Sequence, residues 1–320
     1  MTKVVGFYTC WNFEETRIEE EVFRDLGAQC LIAGNETEFK ALFGKIDALV
    51  MANEANITAE VAEALAPRCK FIVRQGIGVD NIDLEACKNR GIAVANVPDY
   101  CLEEVSDHAL ALALALARNI PFYDTLIRGG VWNVLGLPPG SNYQGLTLAI
   151  GGFGRIPQSL ARKAGCVFGR LVTYDPYINR EAAAKLGVEV AETFEALVRE
   201  ADILSLHIPA TAENHHLINA QSLSWFKPTA CLINTARGAL IDEAALYQAL
   251  KNKTLASAAL DVFETEPPDF NNPLMTLSNV VITPHSAWYS YQAFDQMRLK
   301  AAEEVARGLA GEPLKNQVNR

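Results

Sequence analysis

Short apolar runs alternate with stretches of helical period along almost the whole of this 320-residue chain. That alternation restricts the fold more than any other feature. A run too short for a helix, bounded on both sides by helical segments, reads as a strand buried on both faces. Repeated βα units of this kind build a parallel sheet covered by helices. The first series of runs lies at residues 4–8, 30–33, 48–51, 71–73 and 93–95, with helical patterns at 14–26 and 58–65 between them. It predicts a flavodoxin-like layer sandwich. A long helical stretch follows over residues 102–119, with Glu103 and Glu104 at its favourable N-terminal end. Pro121 interrupts it, and Gly129, Gly130 and a loose segment with two prolines lead to a second series. The runs there lie at 146–150, 171–174, 203–206, 231–234, 258–260 and 280–282, and residues 289–310 close the chain as an amphipathic helix. The expected fold class is α/β, with two doubly wound parallel-sheet domains.

Composition narrows the partners. The chain is 50% hydrophobic and 21% charged, enough apolar mass for sizeable cores. Its net charge of −10 argues against nucleic acid and anionic membranes, which need a basic face. The longest unbroken apolar run, residues 109–117, is far short of a membrane span, and the N-terminus lacks the pattern of a secretory signal. The seven cysteines are scattered, odd in number and never spaced as C-x-x-C, so they read as reduced thiols of a cytoplasmic protein.

Gly152-Phe153-Gly154-Arg155-Ile156-Pro157 follows the run at 146–150 and opens a helix. It is a dinucleotide fingerprint with its third glycine replaced by Pro157. The first glycine allows the tight turn and the second the approach of a pyrophosphate, whereas the third serves helix–strand packing. The two that face a ligand are present. A proline in the first helical turn loses no intrahelical bond. Asp175 ends the next run, about twenty residues on, where an acid binds the ribose hydroxyls of NAD and repels the 2′-phosphate of NADP. The expected cofactor is NAD.

Three segments follow the later runs and carry acid–base chemistry: residues 233–238, 261–267 and 283–289. In an open α/β sheet the ligand lies beyond the carboxyl ends of the strands, where all three begin. Hydride transfer to or from a 2-hydroxy acid needs a base for the hydroxyl proton, a carboxylate to orient it and a cation for the substrate carboxylate. His285, Glu266 and Arg237 supply these parts.

Taken together, these motifs resemble the D-isomer-specific 2-hydroxyacid dehydrogenase family over nearly the whole chain. The carriers are Gly78-Val79-Asp80-Asn81-Ile82-Asp83, the glycine turn, Asn234-Thr235-Ala236-Arg237-Gly238, the stretch from Asp261 to Pro267, and Pro284-His285. Residues 215–219, 287–290 and 314–319 look most like the branch containing the C-terminal-binding protein corepressors. The resemblance implies catalytic roles for Arg237, Glu266 and His285. It implies cofactor contacts from Gly152, Gly154, Arg155, Ile156, Asp175, Thr235, Ala236, Asp261 and His285, with Asp261 at the nicotinamide carboxamide. Substrate would be bound by Arg74, Gly76, Ile77, Gly78, Arg237 and Trp288. It further implies a substrate domain of residues 1–100 and 289–320, an NAD-binding domain of 101–288 inserted between them, and a homodimer joined through the cofactor domains.

Rival readings are weaker. His215 and His216, read as adjacent residues of a helix, would face apart and have no partner ligands for a metal. Asp107, Ser205 and His207 lack the nucleophile elbow of a triad hydrolase. Glu264 competes with Glu266 for the histidine, and the resemblance favours Glu266. A carboxylate there argues against formate as substrate. Phosphoglycerate, glyoxylate and hydroxypyruvate remain open within the family. A cofactor-gated scaffold that captures peptides is the alternative from another class. The corepressors' regulatory tails have no counterpart in this chain, which favours the enzyme.

Overall fold

The computed structural model describes residues 2–9, 17–53 and 55–320. The chain divides into two compact units, residues 1–101 with 290–320 and residues 102–289.

The first unit is built on a five-stranded parallel sheet of β1 (Val4–Tyr8), β2 (Gln29–Ala33), β3 (Ala48–Met51), β4 (Phe71–Arg74) and β5 (Ala93–Asn96). Their order is β2-β1-β3-β4-β5, that of flavodoxin-like sheets. Every residue of β1, β3 and β4 is buried, which is why these strands read as continuous apolar runs rather than alternating ones. Helices start where the sequence offers a cap. Asn35, Thr58 and Asp83 each accept the backbone N–H of the third residue of the helix they open. The expected helix over 14–26 is observed as Arg17–Phe23 with a 3₁₀ turn at Arg24–Leu26; residues 14–16 lie outside the described residues. The C-terminal helix Tyr291–Leu309 packs on β3 and β4 and is clamped to Arg17–Phe23. A buried ion pair makes the clamp: Arg298 reaches both carboxylate oxygens of Glu19, at 2.9 and 2.6 Å.

The second unit has a seven-stranded parallel sheet of β6 (Thr147–Gly151), β7 (Arg170–Tyr174), β8 (Glu189–Val190), β9 (Ile203–Leu206), β10 (Cys231–Asn234), β11 (Ser257–Leu260) and β12 (Val280–Ile282). The order β12-β11-β10-β9-β6-β7-β8 is the dinucleotide-binding arrangement extended by one strand. One apolar cluster centres on Leu204, Leu232 and Leu260, and a second on Leu148, Ile150 and Ile233, covering the two faces of the sheet. The long helix Leu102–Ala117 packs against Arg155–Ala164 and against β9, β10 and β11.

Two local differences from expectation have plain causes. Pro121 does not simply end a helix. Asn119 turns the chain in the left-handed conformation (φ 55°), and the proline then occupies the first turn of a second helix, Ile120–Arg128, where no donor is required. Strand β8 is two residues long and sits at the sheet edge, so it has no apolar run to betray it. No single helix among the described residues is long and apolar enough to cross a membrane.

Candidate active site

Strands β6 and β9 are neighbours across the point where the order of the sheet reverses, and the glycine turn leaves the carboxyl end of β6 there. Gly152 has φ +89°, and a Cβ on it would stand 2.7 Å from the carbonyl oxygen of His207. Only glycine lets the chain leave β6 so close to the loop after β9. Gly154 forms the N-cap of the helix Arg155–Ala164, and a Cβ there would meet nothing within 4 Å. Open space therefore adjoins the first turn, whose N–H groups have no partners within the helix. Pro157 is buried at the third position of that helix, in the turn where it loses no bond. Asp175 supports the turn from the end of β7. Its carboxylate accepts the N–H of Phe153 at 2.9 Å and that of Tyr177 at 2.8 Å.

His207 lies beside this turn. Its N–H donates to the carbonyl of Gly151 at 2.8 Å, and its Nε2 lies 2.9 Å from the hydroxyl of buried Ser205. Burial pushes its pKa down to about 4, so the ring is neutral at physiological pH.

Three loops leave the carboxyl ends of β10, β11 and β12, adjacent strands of the sheet. In the first, Asn234 braces the turn: its side chain donates to the carbonyl of Arg237 at 2.8 Å and accepts from the N–H of Ala236 at 3.0 Å. Thr235 is buried, and among the described residues its hydroxyl has no protein partner. Arg237 contacts its own loop through Nη1 and the carbonyl of Ala236, at 2.6 Å. Gly238 follows under a tight steric limit. A Cβ on it would stand 1.9 Å from the main-chain carbon and oxygen of Phe263, so the β10 and β11 loops touch backbone to backbone.

The second and third loops meet at His285. Its Nδ1 is 2.6 Å from Glu266 Oε2, and Glu266 Oε1 accepts the N–H of Phe263 at 3.1 Å. Burial pushes the Glu266 carboxyl up. The hydrogen bond and charge of His285, the Phe263 N–H and nearby Arg237 together outweigh it and hold the group below the usual carboxylate range. Glu264, the sequence rival, pairs instead with His216. His215 and His216 lie in a loop rather than on a helix, and their rings stack with centroids 3.9 Å apart. His285 itself is in the left-handed conformation (φ 52°), uncommon for a residue with a side chain. Asp261, buried at the end of β11, holds it there. The Asp261 carbonyl accepts the His285 N–H at 2.7 Å, and its carboxylate accepts the N–H groups of Ser286 and Ala287 at 2.9 and 3.0 Å. Trp288 follows half-buried, edge-on to Tyr289 with ring centroids 5.3 Å apart.

The remaining expected residues belong to the first unit. Arg74 ends β4 and is buried; its guanidinium lies against Gly76, donates to the carbonyl of Gln75 at 2.9 Å and bonds the Asn53 side chain. The loop beyond it is fixed through its carbonyls. The Val97 N–H donates to Gly76 at 3.0 Å and the Asn96 side chain to Ile77 at 2.6 Å, while Gly78 continues the loop half-buried.

Sequence reasoning missed the bracing residues Asn234, Gly238 and Thr283. Asn234 and Gly238 left a trace, as the two ends of the Asn234-to-Gly238 motif. The roles of Gly238 and Thr283 depend on neighbours far away in sequence, Phe263 and Asp261.

A parallel sheet with a glycine turn at its switch point and a histidine–carboxylate pair at later strand ends defines a class: dinucleotide-dependent oxidoreductases of doubly wound fold. Comparison with known proteins narrows it. Residues 110–287 match the family model described as D-isomer specific 2-hydroxyacid dehydrogenase, NAD binding domain. The chain belongs to that family, and its second unit carries the family's NAD-binding domain. It is 40% identical over 273 residues to D-3-phosphoglycerate dehydrogenase of Methanocaldococcus jannaschii, covering 85% of this chain and 52% of that protein. It is also 40% identical over 276 residues to glyoxylate reductase of Korarchaeum cryptofilum, covering 85% and 82%. The chain thus spans about half the length of the phosphoglycerate dehydrogenases it matches. Among solved structures, D-lactate dehydrogenase of Aquifex aeolicus complexed with NAD and lactic acid is similar with a TM-score of 0.88, at 27% identity and 99% coverage of both chains.

The lowered carboxyl of Glu266 has a measurable consequence. A group held below its ordinary value adds stability above that value, and the addition is lost as pH falls through the lower folded value. Glu266→Gln should therefore flatten the acid limb of the stability–pH curve, read by urea unfolding from neutral pH downward. The pair is one-third exposed, so water screens it and the effect is small. An acid limb identical to that of the parent protein would show that Glu266 carries none of it.

Proposed function

We propose that the chain is an NAD-dependent D-2-hydroxyacid dehydrogenase, interconverting a 2-oxo acid and a D-2-hydroxy acid. The observation that carries this reading is the 2.6 Å contact between His285 Nδ1 and the Glu266 carboxylate. A carboxylate only accepts, so Nδ1 carries the proton of the neutral ring and Nε2 presents a lone pair. Nε2 then takes the proton from the substrate hydroxyl, or returns it to the carbonyl oxygen in the reverse direction. Glu266 stabilises the imidazolium formed in between and keeps the ring in the working tautomer.

The residues at the glycine turn fit NAD. Open space faces Gly154 and the helix N-terminus, and the buried Thr235 hydroxyl has no protein partner among the described residues. NAD, when bound, supplies the acceptor or donor of hydride. Gly152, Gly154, Arg155 and Ile156 would hold its pyrophosphate, and Asp175 its ribose. Thr235, Ala236, Asp261 and His285 would lie along the remainder, with Asp261 at the nicotinamide carboxamide. Arg237 would bind the substrate's carboxylate and polarise its carbonyl. We assign further binding of the substrate to Arg74, Gly76, Ile77, Gly78 and Trp288. Glyoxylate, hydroxypyruvate and phosphoglycerate are the first substrates to test, since glyoxylate reductases and phosphoglycerate dehydrogenases are relatives.

The partner we propose is a second copy, joined through the NAD-binding unit. Around the helix Ile120–Arg128 the side chains of Ile120, Val131, Trp132, Val134 and Leu135 are 57, 45, 92, 76 and 86% exposed. Large apolar side chains exposed this close together in sequence support a face that a partner covers.

NADH oxidation should proceed with at least one member of a 2-oxo acid panel. His285→Ala should lower its kcat by about a hundredfold or more while NADH binding persists. Arg237→Ala should lower kcat and raise KM for the oxo acid. NADH binding with no turnover on any oxo acid would overturn the reading. Asp175→Ala should weaken NADH by roughly tenfold or more, since two turn amides lose a charged acceptor along with the ribose, and should narrow the preference over NADPH. An unchanged NADH/NADPH ratio would remove Asp175 from cofactor choice. Sedimentation should give a dimer that Leu135→Asp dissociates; a monomeric parent protein would refute the proposed interface.

A further inference from the structure

Four residues of the His285 loop end on a single side chain and its carbonyl. The Thr283 hydroxyl, the main-chain N–H groups of Ser286 and Ala287, and that of His285 all bond Asp261. The Asp261 side chain has 0% exposure. Behind Thr283 stands a fifth participant from another element. His108, on the helix Leu102–Ala117, places Nε2 3.2 Å from Thr283 Oγ1 and 3.9 Å from Asp261 Oδ1.

The hydrogens in this chain can be counted. A carboxylate only accepts, so the Thr283 hydroxyl gives its one hydrogen to Asp261. Its oxygen then meets His108 Nε2 as an acceptor. The bond forms only if Nε2 carries a proton. We infer that His108 is a positioning residue: held as the Nε2–H tautomer, it locks the Thr283 rotor against Asp261 and so fixes the turn that presents His285. The inference rests on the reading of His285 as the acid/base and extends it to a side chain on a different element. It assigns a role to two residues, His108 and Thr283, on different elements. The helix Leu102–Ala117 becomes the rigid support of the loop. Thr283 becomes its hinge pin, stiff at χ1 because it is β-branched. A base displaced by about 1 Å loses up to roughly a hundredfold in rate, so the lock acts on kcat rather than on cofactor binding.

The test combines kinetics with a direct look at the proton. Thr283→Val keeps the shape and removes the hydroxyl; it should lower kcat about ten- to a hundredfold and leave NADH affinity within about threefold. Thr283→Ser should restore most of kcat, and His108→Gln, which keeps a donor at similar reach, should exceed His108→Leu. Nitrogen-15 spectra of histidine-labelled protein should show His108 protonated at Nε2 at neutral pH, with that signal altered by Thr283→Val. Parental kcat in Thr283→Val, or His108 without a proton on Nε2, overturns the inference. If His285→Ala turns over normally, the acid/base reading fails, whereas the His108 tautomer is read without any turnover, so the two failures are separable.

Discussion

A carboxylate taken out of water must be answered by donors, and at Asp261 that requirement organises the site. Solvation is lost at the end of β11, and main-chain N–H groups from the β12 loop replace it. The replacement works only if the loop wraps tightly around the acid, and the wrapping drives His285 into a left-handed backbone. The conformational cost at His285 is thus offset by the solvation of a neighbour's charge. The same wrap aims the imidazole at Glu266. Geometry that reads as a property of the histidine is set by an acid that touches it only through the main chain.

The sheets explain why these loops are neighbours at all. Parallel strands buried on both faces leave their loops in two groups, one at each end. Strands β10, β11 and β12 are consecutive in the sheet, so the segments after each are adjacent at the carboxyl end. Backbone contact between Gly238 and Phe263 then couples the arginine loop to the carboxylate loop. Arg237, Glu266 and His285 are spread over 49 positions of sequence, yet they sit on three neighbouring strand ends.

Much of this was legible in the sequence because it is local. Continuous apolar runs marked the buried strands, and stretches of helical period marked helices between them, whereas the caps Asn35, Thr58 and Asp83 went unread. The glycine turn and Asp175 were readable as a pair by their spacing. Their contact was not: the Asp175 carboxylate holds the Phe153 N–H, and no spacing reveals a hydrogen bond. Short edge strand β8 left no periodicity, and the helix Ile120–Arg128 hid behind a proline that begins it. The histidine pair at 215 and 216 was misread as helical because adjacency says nothing of backbone, which here bends His216 to φ 53°. The Thr283–Asp261 contact joins the ends of neighbouring strands, and neither residue is distinctive alone.

Three acids stand within six residues of one another, and their environments divide the work. Asp261 is buried and its carboxylate accepts three donors from the following loop, so it holds that loop's shape. Glu264 faces the loop after β9, pairs with His216, and its N–H donates to Glu243 at 2.7 Å, so it ties neighbouring segments together. Glu266 meets Nδ1 of His285 at 2.6 Å. Each carboxylate could pair with a histidine in isolation. Direction of the chain decides: after β11 the strand ends with Asp261 aimed inward, and the turn at Phe263, held by its own N–H to Glu266, brings that third acid round to His285. Which carboxylate reaches His285 is therefore tied to one backbone hydrogen bond in a turn rather than to the acidity of the residues near it.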